Sequence, residues 1–141
     1  MAGVTGYTTA KLSSLHSLIY RKISTSLGAE AARSYAESQQ GAVEHVADVV
    51  AELAVDCELE RLPGFAYAES ADHLDQLRVE VEAATGAGLR ASFVTDTGLP
   101  FPVAGAVRVE DQAQFHPRKY VLALAEDMTR RGARIFDAAA L

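Results

Sequence analysis

The hydrophobic period of this chain changes at Cys57, so neither an all-helical nor an all-strand fold can satisfy it. Before that point Leu12, Leu15, Leu18, Ile19 and Ile23 recur at helical spacing, and Gly28 closes the first helix. A second helix is expected from Ala29 to Val55, with a core stripe of Tyr35, Ala42, Val46, Val49, Val50 and Leu53. Gly41 weakens its middle by about 1 kcal/mol relative to alanine. From Cys57 the period is two. Cys57 and Leu59 alternate with Glu58 and Glu60, Pro63-Gly64 reads as a turn, and Phe65 and Tyr67 alternate with alanines. The pattern predicts a β-hairpin with strands at 57–62 and 65–69.

Helical spacing then returns. Ser70 is a good N-cap, and Leu74, Leu77, Val81 and Ala84 form the stripe of a third helix ending at Gly86–Gly88. Residues 91–95 and 105–110 read as strands, separated by a loop rich in proline and glycine. Pro117 suits the first turn of a fourth helix, which turns Val121, Leu124, Ala125 and Met128 to the core and stops at Gly132. Ile135 and Phe136 look like the start of a buried strand. The fold class is α+β, with helices packed on a small, mostly antiparallel sheet.

Charge and cysteine content narrow the function. With 13 Lys and Arg against 19 Asp and Glu, the net charge is −6, and the basic residues are scattered, so no nucleic-acid footprint is visible. No apolar run approaches the ~20 residues of a membrane span, and no secretory h-region opens the chain. The cytoplasm is the expected location. The single cysteine, Cys57, excludes an internal disulfide framework, and Asp56 and Glu58 beside it would raise its pKa. Cys57 is expected to be a half-buried strand residue. No two histidines share metal-binding spacing, so no metal site is expected.

The stretch Gly3–His16, "GVTGYTTAKLSSLH", has the composition of a loop that lets backbone N–H groups approach an anion. It is not a Walker A loop, because Lys11 comes five residues after Gly6 and no strand leads in. It lacks the G-x-G-x-x-G of a dinucleotide fingerprint. By composition alone it reads as a flexible tail that happens to contain Gly and Thr.

Two motifs carry a resemblance. "TGYTTAKLSSLHSLIY" and, far along the chain, "LPFPVAGAVRVEDQAQFHPRKYVLALAEDMTRRGARIF" occur in order with "RLPGFAYAES" between them. Together they resemble the FAD-dependent oxidoreductases of the D-amino-acid oxidase type. The similarity is closest to the subgroup that often carries a C-terminal Rieske iron–sulfur domain. It covers nearly all of the chain.

The resemblance implies that Thr5, Gly6, Thr8, Thr9, Ala10 and Lys11 form a flavin-side loop, Lys11 balancing negative charge on FAD phosphate or reduced flavin. It makes His16 and His116 candidates for contact with flavin or substrate. Read without it, His16 is a helix histidine and His116 a helix N-cap. His45 is expected to be structural and His73 solvated. Residues 1–11 would be left over from the FAD-binding domain, 12–115 would be a substrate-domain-like α+β region, and 116–141 would return to the FAD-binding domain. The Gly-rich strand–turn–helix that cradles the pyrophosphate is not in this sequence. The chain therefore looks like an internal or N-terminally truncated piece of a longer enzyme, its partner being the missing FAD-binding half. That enzyme would oxidise a small amine, amino acid or related donor by hydride transfer to FAD, and the isolated chain would be inactive and would not retain FAD. Flavin chemistry needs no protein nucleophile, so the lack of a catalytic triad does not weigh against it. The alternative is a self-sufficient, non-catalytic α+β binding or interaction module.

Overall fold

A computed structural model describes residues 4–8 and 10–136. Two short 3-10 turns, Val4–Tyr7 and Ala71–His73, accompany eight regular elements. These are β1 (Lys11–Leu12), α1 (Tyr20–Leu27), α2 (Ala29–Glu52), β2 (Glu60–Ala68), α3 (Leu74–Gly86), β3 (Ala91–Val94), β4 (Gly105–Gln114) and α4 (Pro117–Arg130). The class is α+β, as the alternation of periods requires.

β4 is the centre of a four-stranded antiparallel sheet. β2 pairs along one edge, while β3 (Ala91↔Val109 to Val94↔Ala106) and β1 (Lys11↔Gln114, Leu12↔Ala113) share the other edge end to end. Val107 and Val109 point from β4 into a core built with Leu15, Tyr20, Ala32, Ala36, Leu77, Ala84 and Leu89. α1, α2 and α3 thus cover one face of the sheet. The opposite face carries Phe65, Tyr67 and the Arg108–Glu110 ion pair (2.7 Å), with Phe101 of the 95–104 loop against Tyr67 at 5.6 Å between ring centroids.

The expected hairpin is not formed. β2 runs through Pro63-Gly64 as one nine-residue strand. Its register jumps from Leu62↔Gln112 to Gly64↔Val109, so Glu110 and Asp111 of β4 bulge opposite Pro63. A proline without an N–H is tolerated at a bulge, where the ladder is already interrupted. Asp111 takes the left-handed backbone that the bulge requires (φ 61°). Cys57 falls outside the strand, in a bend, and is fully rather than half buried.

Other expectations shift for related reasons. The first helix starts at Tyr20, not Leu12, because Lys11 and Leu12 are drawn into the sheet. Gly28 ends α1 as expected (φ 93°) and lets α2 begin one residue later. α2 buries Ala32, Ala36 and Val43, a phase displaced from the predicted stripe, and Ala42 is exposed. Small side chains on that face let the helix approach its neighbours closely. α4 packs chiefly on the Val4–Tyr7 turn and not on the core, which leaves Met128 exposed. Ala133 to Phe136 form no strand, and Ile135 and Phe136 are exposed; residues 137–141 lie outside the described residues. Among the described residues no helix is long and apolar enough to cross a membrane.

Candidate functional site

The two motifs, a hundred residues apart, meet at one end of the sheet. β1 runs antiparallel to the end of β4, so the segment entering β1 lies beside the segment leaving β4. The Phe115 N–H donates to the Ala10 carbonyl at 3.1 Å and extends the contact past the ladder. The start of β2 joins them, through the Glu60↔Gln114 pair and a 2.7 Å hydrogen bond from Gln114 Nε2 to Glu60 Oε2. Between these segments lies a cleft of about 380 Å³ lined by Thr5, Thr8, Ala10, Glu58, Glu60 and the run Gln114–Pro117.

The backbone around the cleft is unusual. Ala10 (φ 63°) and Glu58 (φ 56°) both line it in the left-handed region, which non-glycine residues rarely adopt. Strain of this kind costs about 1–3 kcal/mol per residue and gathers at functional sites. His116 ends the β4 segment and starts α4. Its N–H donates to the Cys57 carbonyl (2.7 Å), and its Nδ1 accepts the Lys119 N–H in a long 3.4 Å N-cap bond. An Nδ1 that accepts leaves the proton of the neutral ring on Nε2. His116 is therefore both an N-cap and a cleft residue.

The Lys119 ammonium meets the Glu58 carboxylate at 2.5 Å and holds it below the ordinary carboxylate range, while Lys119 itself is raised. Burial, aided by Asp56 and Glu58, pushes the Cys57 thiol up, as the flanking charges predicted. A depressed Glu58 stabilises the fold above its unfolded pKa, and the benefit disappears as pH falls through the folded value. Lys119→Met should return the Glu58 midpoint upward toward 4.5, read by NMR titration of its carboxyl carbon. An unmoved midpoint would show that the ion pair does not exist in solution.

The remaining sequence candidates are dispersed. Gly6 belongs to the Val4–Tyr7 turn, and Thr9 lies outside the described residues. Lys11 is exposed in β1 and does not line the cleft. His16 is also exposed and elsewhere, its Nδ1 2.9 Å from the Tyr35 hydroxyl. His45 and His73 are exposed. Glu58 and Glu60 were missed as site residues, because alternation with Cys57 and Leu59 reads as the wet face of a strand. Gln114 sits inside the "QAQFHP" motif, which was its signal.

The sequence model of the family described as FAD dependent oxidoreductase, DAO, matches residues 2–141. The chain belongs to that family. A relative from Bacillus subtilis (strain 168), named "Putative Rieske 2Fe-2S iron-sulfur protein YhfW", is 32% identical over 135 residues. The alignment covers 96% of this chain and 26% of that protein, so the chain spans about a quarter of its relative. No solved structure matches. Both findings agree with the resemblance drawn from the two motifs.

The donor set of the cleft fits one portion of FAD better than another. Thr5 and Thr8 offer hydroxyls and His116 an imidazole, while Glu58 and Glu60 are carboxylates and no Lys or Arg lines the cleft among the described residues. Lys119 balances the Glu58 charge, which leaves the Glu60 carboxylate as the net charge of the lining, so the cleft suits a neutral ligand edge rich in hydrogen-bonding groups better than a diphosphate.

Proposed function

We propose that this chain is the substrate-domain part of an FAD-dependent oxidoreductase that oxidises a small amine, amino acid or related donor by hydride transfer to flavin. The observation that carries the reading is the meeting of Thr5, Thr8 and Ala10 with residues 114–117 in one cleft, in a chain of the DAO family. Residues 1–11 are the flavin-side segment, 12–115 the substrate-domain-like region, and 116–141 the return to an FAD-binding half supplied by the rest of the protein.

In this reading the hydroxyls of Thr5 and Thr8 hydrogen-bond the polar edge of the flavin, with Gly6 and Thr9 part of the same sequence motif. His116 presents an Nε2–H donor to the cleft. FAD, when bound, supplies the hydride acceptor. The diphosphate lies away from Glu58 and Glu60, and Lys11 acts on flavin charge from outside the cleft. His16 keeps a place only through the family resemblance. The relative's name supports a complete protein that also carries a Rieske centre, and a cytoplasmic location is kept for it.

The test is FAD titration of the complete protein and of the isolated 141-residue chain, by calorimetry and by flavin absorbance. The complete protein should bind FAD stoichiometrically and the isolated chain should stay colourless. In the complete protein, replacing Thr5 and Thr8 together by valine should weaken FAD binding by about tenfold, since two hydrogen bonds of about 0.5–1.5 kcal/mol are lost. A complete protein that binds no FAD would overturn the reading.

A further inference from the structure

We propose that Gln112 is the positioning residue that sets the geometry of the cleft, an inference that rests on the reading of the cleft given above. Gln112 is 2% exposed, yet lies on the central strand of the sheet. Every polar atom of its amide is engaged. Oε1 accepts the Ser14 N–H at 2.5 Å and the Ser14 hydroxyl at 3.0 Å, while Nε2 donates to the Gln40 Oε1 at 2.9 Å and the Glu110 carbonyl at 2.7 Å. Ser14 is itself fully buried, and its carbonyl accepts the buried Tyr20 hydroxyl at 2.6 Å. The amide thus joins the N-terminal segment, α2 and β4 at one point.

That point controls both arms of the cleft. Ser14 follows Ala10 by four residues, and Gln112 precedes Gln114 by two. Between hub and cleft stand only the two ladder pairs of β1, Lys11↔Gln114 and Leu12↔Ala113. A two-residue strand does not hold its own register, and a slip of one residue would turn every side chain to the other face. The Ser14–Gln112 bonds pin that register. β2 leaves room for the hub: a Cβ at Gly64 would stand 3.2 Å from Gln112 Cγ and 3.3 Å from Ser13 Oγ. Neither Gln112 nor Ser14 lines the cleft, so both act through the segments they hold.

The experiment compares Gln112→Leu with Gln40→Leu in the complete protein. Gln40 reaches the same hub from α2, which contributes no residue to the cleft; its Oε1 also accepts the Ser14 hydroxyl at 3.1 Å, so Gln40→Leu removes one hydroxyl partner of Ser14 but leaves the Ser14 N–H bonded to Gln112. Three readouts are taken: Tm, hydrogen exchange of amides 10–16 without added flavin, and FAD affinity. Both variants should lower Tm. Gln112→Leu, which removes the acceptor of the Ser14 N–H, should speed exchange at 10–16 by about tenfold and weaken FAD binding by about tenfold, the equivalent of about one lost buried hydrogen bond, and Gln40→Leu should change both by less than about threefold. Ser14→Ala keeps the backbone bond and serves if Gln112→Leu fails to fold; exchange should rise by about threefold. Equal exchange at 10–16 in wild type, Gln112→Leu and Ser14→Ala would overturn the proposal. Faster exchange with unchanged FAD affinity would keep the register pin but remove the flavin from the cleft. A wild-type protein that binds no FAD defeats the functional reading, and the exchange data still decide the pin.

Discussion

Glu80→Ala is expected to destabilise the fold by about 3 kcal/mol, through two charge-assisted hydrogen bonds and the donors they leave orphaned. Glu80 projects from α3 into the interior with no exposed surface. Its Oε1 accepts the Tyr20 N–H at 2.7 Å and its Oε2 the Arg21 N–H at 3.0 Å. Those are the first two N–H groups of α1, whose N-cap residue Ile19 supplies no side-chain bond. Helix starts leave such groups without partners, and a carboxylate there also meets the favourable end of the helix dipole. An eight-residue helix cannot stand without tertiary support. Glu80→Gln keeps one acceptor but turns a donor on the other N–H, and about half the loss should remain. Glu80→Leu fills the space yet leaves both donors dry, so it should be no milder than alanine. Urea denaturation of the three variants measures this. An alanine variant within about 1 kcal/mol of wild type would mean that water reaches the α1 terminus.

Gly105→Ala is expected to cost about 2–3 kcal/mol through overpacking. A Cβ at this position would stand 2.6 and 2.8 Å from two ring carbons of Phe93 and 2.9 Å from Leu74 Cδ2. Neither neighbour can simply swing away. Phe93 packs on the core and is covered by the Arg78 guanidinium, 4.4 Å from its ring centre, and Leu74 begins α3 against the same cluster. Gly105→Val should be worse. Shrinking the obstacle should help: Phe93→Leu combined with Gly105→Ala should recover more than about 1 kcal/mol relative to the sum of the single changes. Additive losses in that double-mutant cycle would place the cost elsewhere, in the backbone of β4.

Much of this molecule is legible in its sequence, for local reasons. Gly28 separates α1 from α2 because only a residue without a Cβ takes φ 93° cheaply. Pro117 and Gly132 bracket α4 because each satisfies a helix-end requirement by itself. α3 and β3 were readable from short-range period. The family, too, was legible, because two motifs in fixed order do not depend on how the chain folds between them.

What the tertiary structure decided is where the partner is distant. Pro63-Gly64 has the local chemistry of a turn; it became the middle of a strand because the bulge that accommodates it lies in β4, about fifty residues away. Glu80 and Gln112 look like surface residues until the N–H groups of Tyr20, Arg21 and Ser14 are seen to need acceptors in the dry interior. The same holds for the two candidate histidines. Sequence offered both His16 and His116 as candidates, but antiparallel pairing of β1 with the end of β4 brings His116 to the cleft of Thr5, Thr8 and Ala10 and leaves His16 beside Tyr35. Helix ends and periods are set by a residue and its nearest neighbours. Register, and the burial of a polar group, are set by whichever strand or helix arrives opposite.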